Sequence, residues 1–197
     1  MPLGDILTPK PRVLFVGINP SLRSEAVGHH FAGPGNPFWR LLYAARLVPV
    51  ELTHTEDRRL VEFGLALTNL CPRATRAAAE LEREEIERGK RRLVAKVRRL
   101  RPEVVAFVGV TIYREFSREF SRELSGRAPS GARRKLAPEA TVAGAGAKTE
   151  LFCGARVFVL PNPSGLNASF PGFKDKLVWF ERLREFIDSR PSLSSQA

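Results

Sequence analysis

Cysteine is scarce in this 197-residue chain: there are two, Cys71 and Cys153, far apart and each in an apolar context. Two thiols cannot supply the four ligands of an iron–sulfur cluster or a zinc ribbon within one chain. Both read instead as small buried hydrophobes. Long apolar runs are also missing, and none approaches the roughly 18–20 residues that cross a bilayer. The opening Met1-Pro2-Leu3-Gly4-Asp5 has neither the basic start nor the apolar stretch of a secretory signal. A cytoplasmic protein without a membrane partner is expected. No Ser/His/Asp set, no metal-ligand spacing and no Gly-x-x-x-x-Gly-Lys phosphate loop can be found, so the usual signatures of acyl transfer, metal hydrolysis and nucleotide hydrolysis are absent.

Acidic residues are outnumbered, 21 against 32 Lys and Arg, giving a net charge of +11 and a pI near 10.6. Arginine exceeds lysine several-fold, and guanidinium is the better fork for phosphate oxygens. Such a surplus favours a polyanion, because each neutralised phosphate releases condensed counterion. Ribosomal and membrane-surface proteins show the same balance, so charge alone does not choose a partner.

Hydrophobic residues make up 43% of the chain, enough for one real core at this length. Short apolar runs at Arg12–Gly17, Phe63–Thr68, Val104–Gly109 and Arg156–Leu160 read as buried strands. A loop spans Ser21–Pro37. From about Ala79 to Arg101, Ile86, Leu93, Val97 and Leu100 fall on one helical face. The acidic first half and basic last turns of that helix suit its macrodipole, so its charges read as structural. Helical spacing recurs at Phe38–Tyr43, from Thr111 onward, and at Phe173, Leu177, Phe180, Leu183 and Ile187. Ser125–Lys148 reads as an Arg/Gly-rich loop insertion in which Arg127, Arg133, Arg134 and Lys135 are candidate phosphate contacts. Strands alternating with helices predict an α/β fold, three layers α/β/α around a short, mainly parallel sheet. Residues 1–189 read as one domain and 190–197 as a frayed tail.

Two of the strands end alike. Val16-Gly17-Ile18 runs into Asn19-Pro20-Ser21, and Val159-Leu160-Pro161 runs into Asn162-Pro163-Ser164. Proline has no N–H and holds the preceding residue extended, so the ladder stops there. Asn-Pro is a common strand terminator on its own. Two such ends on neighbouring parallel strands would open both amides onto the crevice where α/β sheets bind ligands. Carboxamides orient water and read the edge of a base, but they do not readily take a proton. The chemistry they suit is one in which bond breaking precedes attack by water, such as cleavage of a pyrimidine deoxyriboside.

Gly17-Ile18-Asn19-Pro20-Ser21, then Phe31-Ala32-Gly33-Pro34-Gly35-Asn36-Pro37-Phe38-Trp39, then Asn162-Pro163-Ser164-Gly165-Leu166 together resemble the mismatch-specific uracil/thymine-DNA glycosylases of the uracil-DNA glycosylase superfamily. The resemblance runs in order from about Leu7 to Phe186, interrupted by the 125–148 stretch. It implies a monofunctional enzyme of base excision repair that flips uracil from mismatched duplex DNA, without metal or cofactor, as a monomer, and associated with the nucleoid if bacterial. Asn19 would position the attacking water, in a slower version of relatives with Asp there. Phe31 would stack on the flipped base, while the backbone N–H groups of Ile18 and Phe31 read its carbonyls. Asn162 stands where other members carry His to assist the leaving group. Gly17 and Asn69 fall in pocket-lining segments. The small residues Ser21 and Ser24 imply room beside the pyrimidine 5-position for thymine or bulkier adducts. Ser164 would meet phosphate, and Gly165, Leu166 and Asn167 form the wedge that fills the vacated stack.

The chain departs from the family pattern in three places. Asn167-Ala168 replaces Ser-Arg, Cys71-Pro72-Arg73 lacks the acidic residue often found before that Arg, and Ser21 replaces a familiar Gly. His29 and His30 in the Gly-rich loop read as solvated surface. A sister glycosylase that also acts on single strands and a non-catalytic DNA-binding relative stay open as alternatives.

Overall fold

The computed structural model describes residues 3–124, 144–164 and 169–189. Five strands form one sheet in the order β2-β1-β3-β5-β4: β1 (Val13–Gly17), β2 (Leu65–Asn69), β3 (Val104–Val108), β4 (Gly146–Phe152) and β5 (Ala155–Leu160). All neighbours run parallel except β4, which pairs antiparallel with β5 as a hairpin. The helices are α1 (Leu22–Val27), α2 (Phe38–Ala44), α3 (Arg83–Leu100), α4 (Val110–Leu124) and α5 (Phe173–Asp188), with 3-10 segments at His54–Phe63 and Ala78–Glu80.

Each β1 residue from Val13 to Gly17 is buried, and successive side chains point to opposite faces. Val13 and Phe15 therefore join one core with α2, α5 and the 54–63 segment, through Leu41, Leu60, Phe180 and Leu183. Leu14 and Val16 join the other with α3 and α4, through Leu93, Val97, Ile112 and Phe116. This is the expected three-layer arrangement. Gly89 sits where α3 presses on the chain after β2: a Cβ there would lie 2.4 Å from the Leu70 carbonyl oxygen. The chain leaves β1 for β2 on one side and returns to β3 on the other, so the carboxyl ends of β1 and β3 flank a switch point, where α/β sheets open a crevice.

Several sequence expectations need correction. Within Ser125–Lys148, residues 146–148 belong to β4, an edge strand whose alternating side chains leave only its ends buried; residues 125–143 lie outside the described residues, as does the tail 190–197. The 21–37 loop contains α1, capped by Ser21. The long helix begins at Arg83, because 78–80 form a separate 3-10 turn. Cys71 is buried, and burial pushes its thiol up to about 11. Cys153 is exposed, in the β4–β5 turn, where its backbone adopts φ +48°.

Candidate active site

The carboxyl ends of the strands enclose a hollow of about 270 Å³ whose lining includes Ile18, Asn19, Phe31, Asn69 and Asn162. The two strand-end amides thus share one cavity. Ser21, Ser24 and Ser164 line it as well. Gly17 stands behind the wall: a Cβ on it would meet Asn69 Oδ1 at 2.6 Å, so glycine leaves room for the Asn69 amide to cross the end of β1. Gly165, Leu166 and Asn167 lie outside the described residues. A larger hollow of about 670 Å³ lies at the opposite edge of the sheet, between Arg12, Arg46 and Phe63. It holds none of the strand-end amides, so chemistry, not size, selects the smaller one.

The Asn19 amide is oriented by its neighbours. Beyond Gly17, β1 keeps pairing with the chain after β2: Leu70 N–H donates to Gly17 O and Cys71 N–H to Ile18 O, both at 2.8 Å. That register brings residues 73–75 beside Asn19, where Ser21 and Thr75 form a bridge. Asn19 Nδ2 donates to the Arg73 carbonyl at 3.0 Å and to Thr75 Oγ1 at 2.7 Å. Thr75 in turn gives its own hydroxyl proton to Ala77 O at 2.8 Å. With the hydroxyl committed as donor, the group facing it and the carbonyl must be the NH₂ of Asn19. Oδ1 is left as the acceptor on the other side. A carboxylate at this position would set an oxygen against the Arg73 carbonyl, so these surroundings favour an amide.

Arg73 is itself fixed. Its guanidinium binds Glu85 through Nε at 2.8 Å and Nη2 at 2.7 Å. That two-pronged bond, with the Glu82 N–H, holds the Glu85 carboxyl at about 2. The start of α3 thereby anchors the residue whose carbonyl steers Asn19.

Phe31 is in the left-handed region at φ +52°, a conformation that costs a bulky residue on the order of 1–3 kcal/mol and needs its surroundings to hold it. The peptide groups around it are pinned. His30 N–H donates to the buried Asp57 at 2.9 Å, Trp39 Nε1 donates to His30 O at 3.1 Å, and Ala32 N–H donates to Ser24 Oγ at 3.2 Å. One face of the Phe31 ring stacks on Phe38, with centroids 3.9 Å apart and planes at 21°. The ring is a fixed shelf beside the hollow. Phe31 N–H meets no acceptor among the described residues.

His30 corrects the sequence reading. It is 3% exposed, and its Nε2 lies 2.8 Å from Gly4 O, tying the amino-terminal segment to the pocket loop. Burial lowers its pKa, offset in part by the bond to Gly4 and by the Asp57 and Asp5 carboxylates. His29 is half-buried and pairs with Asp57 at 3.1 Å. Asp57, from the 54–63 segment, is the organiser that motif reading missed. The other is Thr75. The Ser24 hydroxyl, buried and bonded to Ser21 Oγ at 3.0 Å as well as to Ala32, pins the loop in addition to lining the hollow.

Asn162 follows β5, beside Gly109 at the end of β3. Its Oδ1 accepts the Ser164 N–H at 2.9 Å, the turn that Asn-Pro sequences form. One amide thus ends the strand and closes the turn that follows it.

A family model described as "Uracil DNA glycosylase superfamily" matches residues 5–184. Over 178 residues the chain is 35% identical to the G/U mismatch-specific uracil DNA glycosylase of Schizosaccharomyces pombe, across 89% of this chain and 50% of that protein. The chain thus spans about half the length of the curated relative it matches. A solution NMR structure from Methanosarcina acetivorans, described as a candidate uracil DNA glycosylase, shares the fold with a TM-score of 0.56 at 18% identity, covering 93% of this chain and 97% of that one. The family match takes in both Asn-Pro-Ser strand ends and the Phe31 loop between them, and this chain belongs to the uracil DNA glycosylase superfamily.

Proposed function

We propose that this protein is a monofunctional DNA glycosylase that flips uracil out of mismatched duplex DNA and hydrolyses its N-glycosidic bond, as a monomer acting on chromosomal DNA. The observation that carries this reading is the Asn19 side chain, held through its Nδ2 by the Arg73 carbonyl and Thr75 and lining the same hollow as the stacked Phe31 ring.

In this mechanism the extruded base lies on Phe31, a contact worth about 1–3 kcal/mol. The backbone N–H groups of Ile18 and Phe31 receive its carbonyls. As the C1′–N1 bond breaks, its electron pair stays on N1, and those donors stabilise the departing anion as an oxyanion hole would. The Asn162 NH₂ adds a further donor. The sugar is left as an oxocarbenium ion, and a water hydrogen-bonded to Asn19 Oδ1 adds to C1′ and passes its surplus proton to the base or to solvent. No strong general base is needed, which suits a site built of amides. Ser164 holds a flanking phosphate, while Gly165, Leu166 and Asn167 fill the gap in the stack. Ser21 and Ser24 leave space for substituents at the pyrimidine 5-position, so thymine and bulkier adducts are secondary substrates.

A uracil-release assay on U·G duplex, under single-turnover conditions, tests the reading. Asn19→Ala is expected to lose at least tenfold in rate, about 1.4 kcal/mol of barrier, with DNA affinity retained. An unchanged rate removes Asn19 from the mechanism, and no release by the parent leaves a non-catalytic DNA-binding protein.

A further inference from the structure

The outer face of α3 carries charge that the fold does not use. From residue 88 to residue 101 the chain has no Asp or Glu, and Arg88, Arg91, Arg92, Arg98, Arg99 and Arg101 are all exposed. Leu93, Val97 and Leu100 are buried on the opposite face. At 100° per residue the five arginines within the helix fall on an arc centred away from that buried face. From Arg88 to Arg99 they extend about 16 Å along the axis.

The helix macrodipole accounts for Arg98 and Arg99 in the last turn, because its effect fades within that turn. It does not account for Arg88, Arg91 and Arg92 further in, where cations three and four residues apart repel. Among the described residues none of the six lies within ion-pair distance of a carboxylate. Of the carboxylates near the row, Glu85 is bonded by Arg73, Glu87 by Lys90 and Asp5 by Lys96, and Glu84, one turn before Arg88, forms no ion pair with it. Within the described fold no carboxylate binds any fork of the row directly, although Arg88 acts on Glu85 through space.

We infer that this face is a second binding surface for the phosphate backbone of duplex DNA, separate from the pocket. The topology sets it apart. The parallel β2–α3–β3 crossover makes α3 run back along the strands, away from their carboxyl ends, where the 270 Å³ hollow lies. A duplex lying across that edge reaches only the Arg88 end, so the rest of the row takes a different stretch of DNA. The contacts are to phosphate, so they carry no sequence preference. The surface holds DNA whether or not the pocket turns over uracil, so its test uses undamaged DNA.

The experiment is a salt titration of binding to a short undamaged duplex, followed by fluorescence anisotropy, for the parent, R92Q/R98Q/R99Q and R92K/R98K/R99K, which leave Arg88 in place. Glutamine and lysine are good helix formers. Each phosphate contact contributes about 0.9 to the slope of log K against log salt, so the glutamine variant should lose about 2 to 3 from the slope and the lysine variant should keep it. Parent protein presaturated with an abasic-site duplex should still bind a second, labelled duplex, and the glutamine variant should not. Single-turnover rates on uracil duplex should match across all three proteins, which also shows that they fold. Equal slopes, absence of a second binding event, or tighter binding of RNA than of duplex DNA at the same salt would overturn the assignment.

Discussion

Replacing Thr75 by Val keeps the shape of the side chain and removes the hydroxyl that both accepts from Asn19 Nδ2 at 2.7 Å and donates to Ala77 O at 2.8 Å. The Arg73 carbonyl then remains as the only acceptor holding the amide among the described residues. Losing one such bond removes about 1 kcal/mol of preference for the oriented state, which is roughly a fivefold effect. Single-turnover uracil excision from a U·G duplex should therefore slow about fivefold in Thr75→Val and recover in Thr75→Ser. The decisive comparison is a double-mutant cycle. In an Asn19→Ala background there is no amide to steer, so Thr75→Val should then cost nothing further. Equal slowing in the parent and in the Asn19→Ala background would show that Thr75 acts on general packing, and the orientation argument would fail.

Two more predictions concern stability. His30 is buried with a lowered pKa, so below about pH 6.5 the unfolded chain binds a proton that the folded chain resists, and stability falls as the pH drops. Melting temperatures between pH 7.5 and 5 should decline more steeply for the parent than for His30→Gln, and parallel curves would refute the assignment. Gly89→Ala sets a Cβ 2.4 Å from the Leu70 carbonyl oxygen. Although Ala is the better helix former, α3 must shift, and chemical denaturation should show a loss of about 1–3 kcal/mol; a gain would mean that the helix moves freely.

How much of this was legible in the sequence depended on the range of each interaction. Asn19 and Asn162 announced themselves because a buried apolar run, an Asn-Pro stop and a parallel sheet together dictate where an amide must open. The strands β1 and β3 followed from unbroken burial, and β5 from burial interrupted only at Arg156. β4 did not, because Lys148, Thr149 and Glu150 alternate on an edge where burial is confined to the ends. α1 is shorter than two turns, too short for its period to show against Gly and Pro. Thr75 and Asp57 were invisible for another reason: each acts on residues 27 to 56 positions away, through bonds to Asn19, His29 and the His30 backbone. The same distance hid His30, whose burial follows from the 54–63 segment closing over it.

The Phe31 ring lies parallel on Phe38 with its backbone bent into the left-handed region before any DNA arrives. The freedom lost in freezing that side chain, about 0.5–1.5 kcal/mol when it happens at a binding event, was surrendered when the chain folded. In the reaction proposed above, an extruded nucleobase would meet a surface that has nothing left to rearrange. Affinity at this spot would then be governed by how easily the duplex lets the base go, which would hand discrimination to the weakness of the mismatched pair.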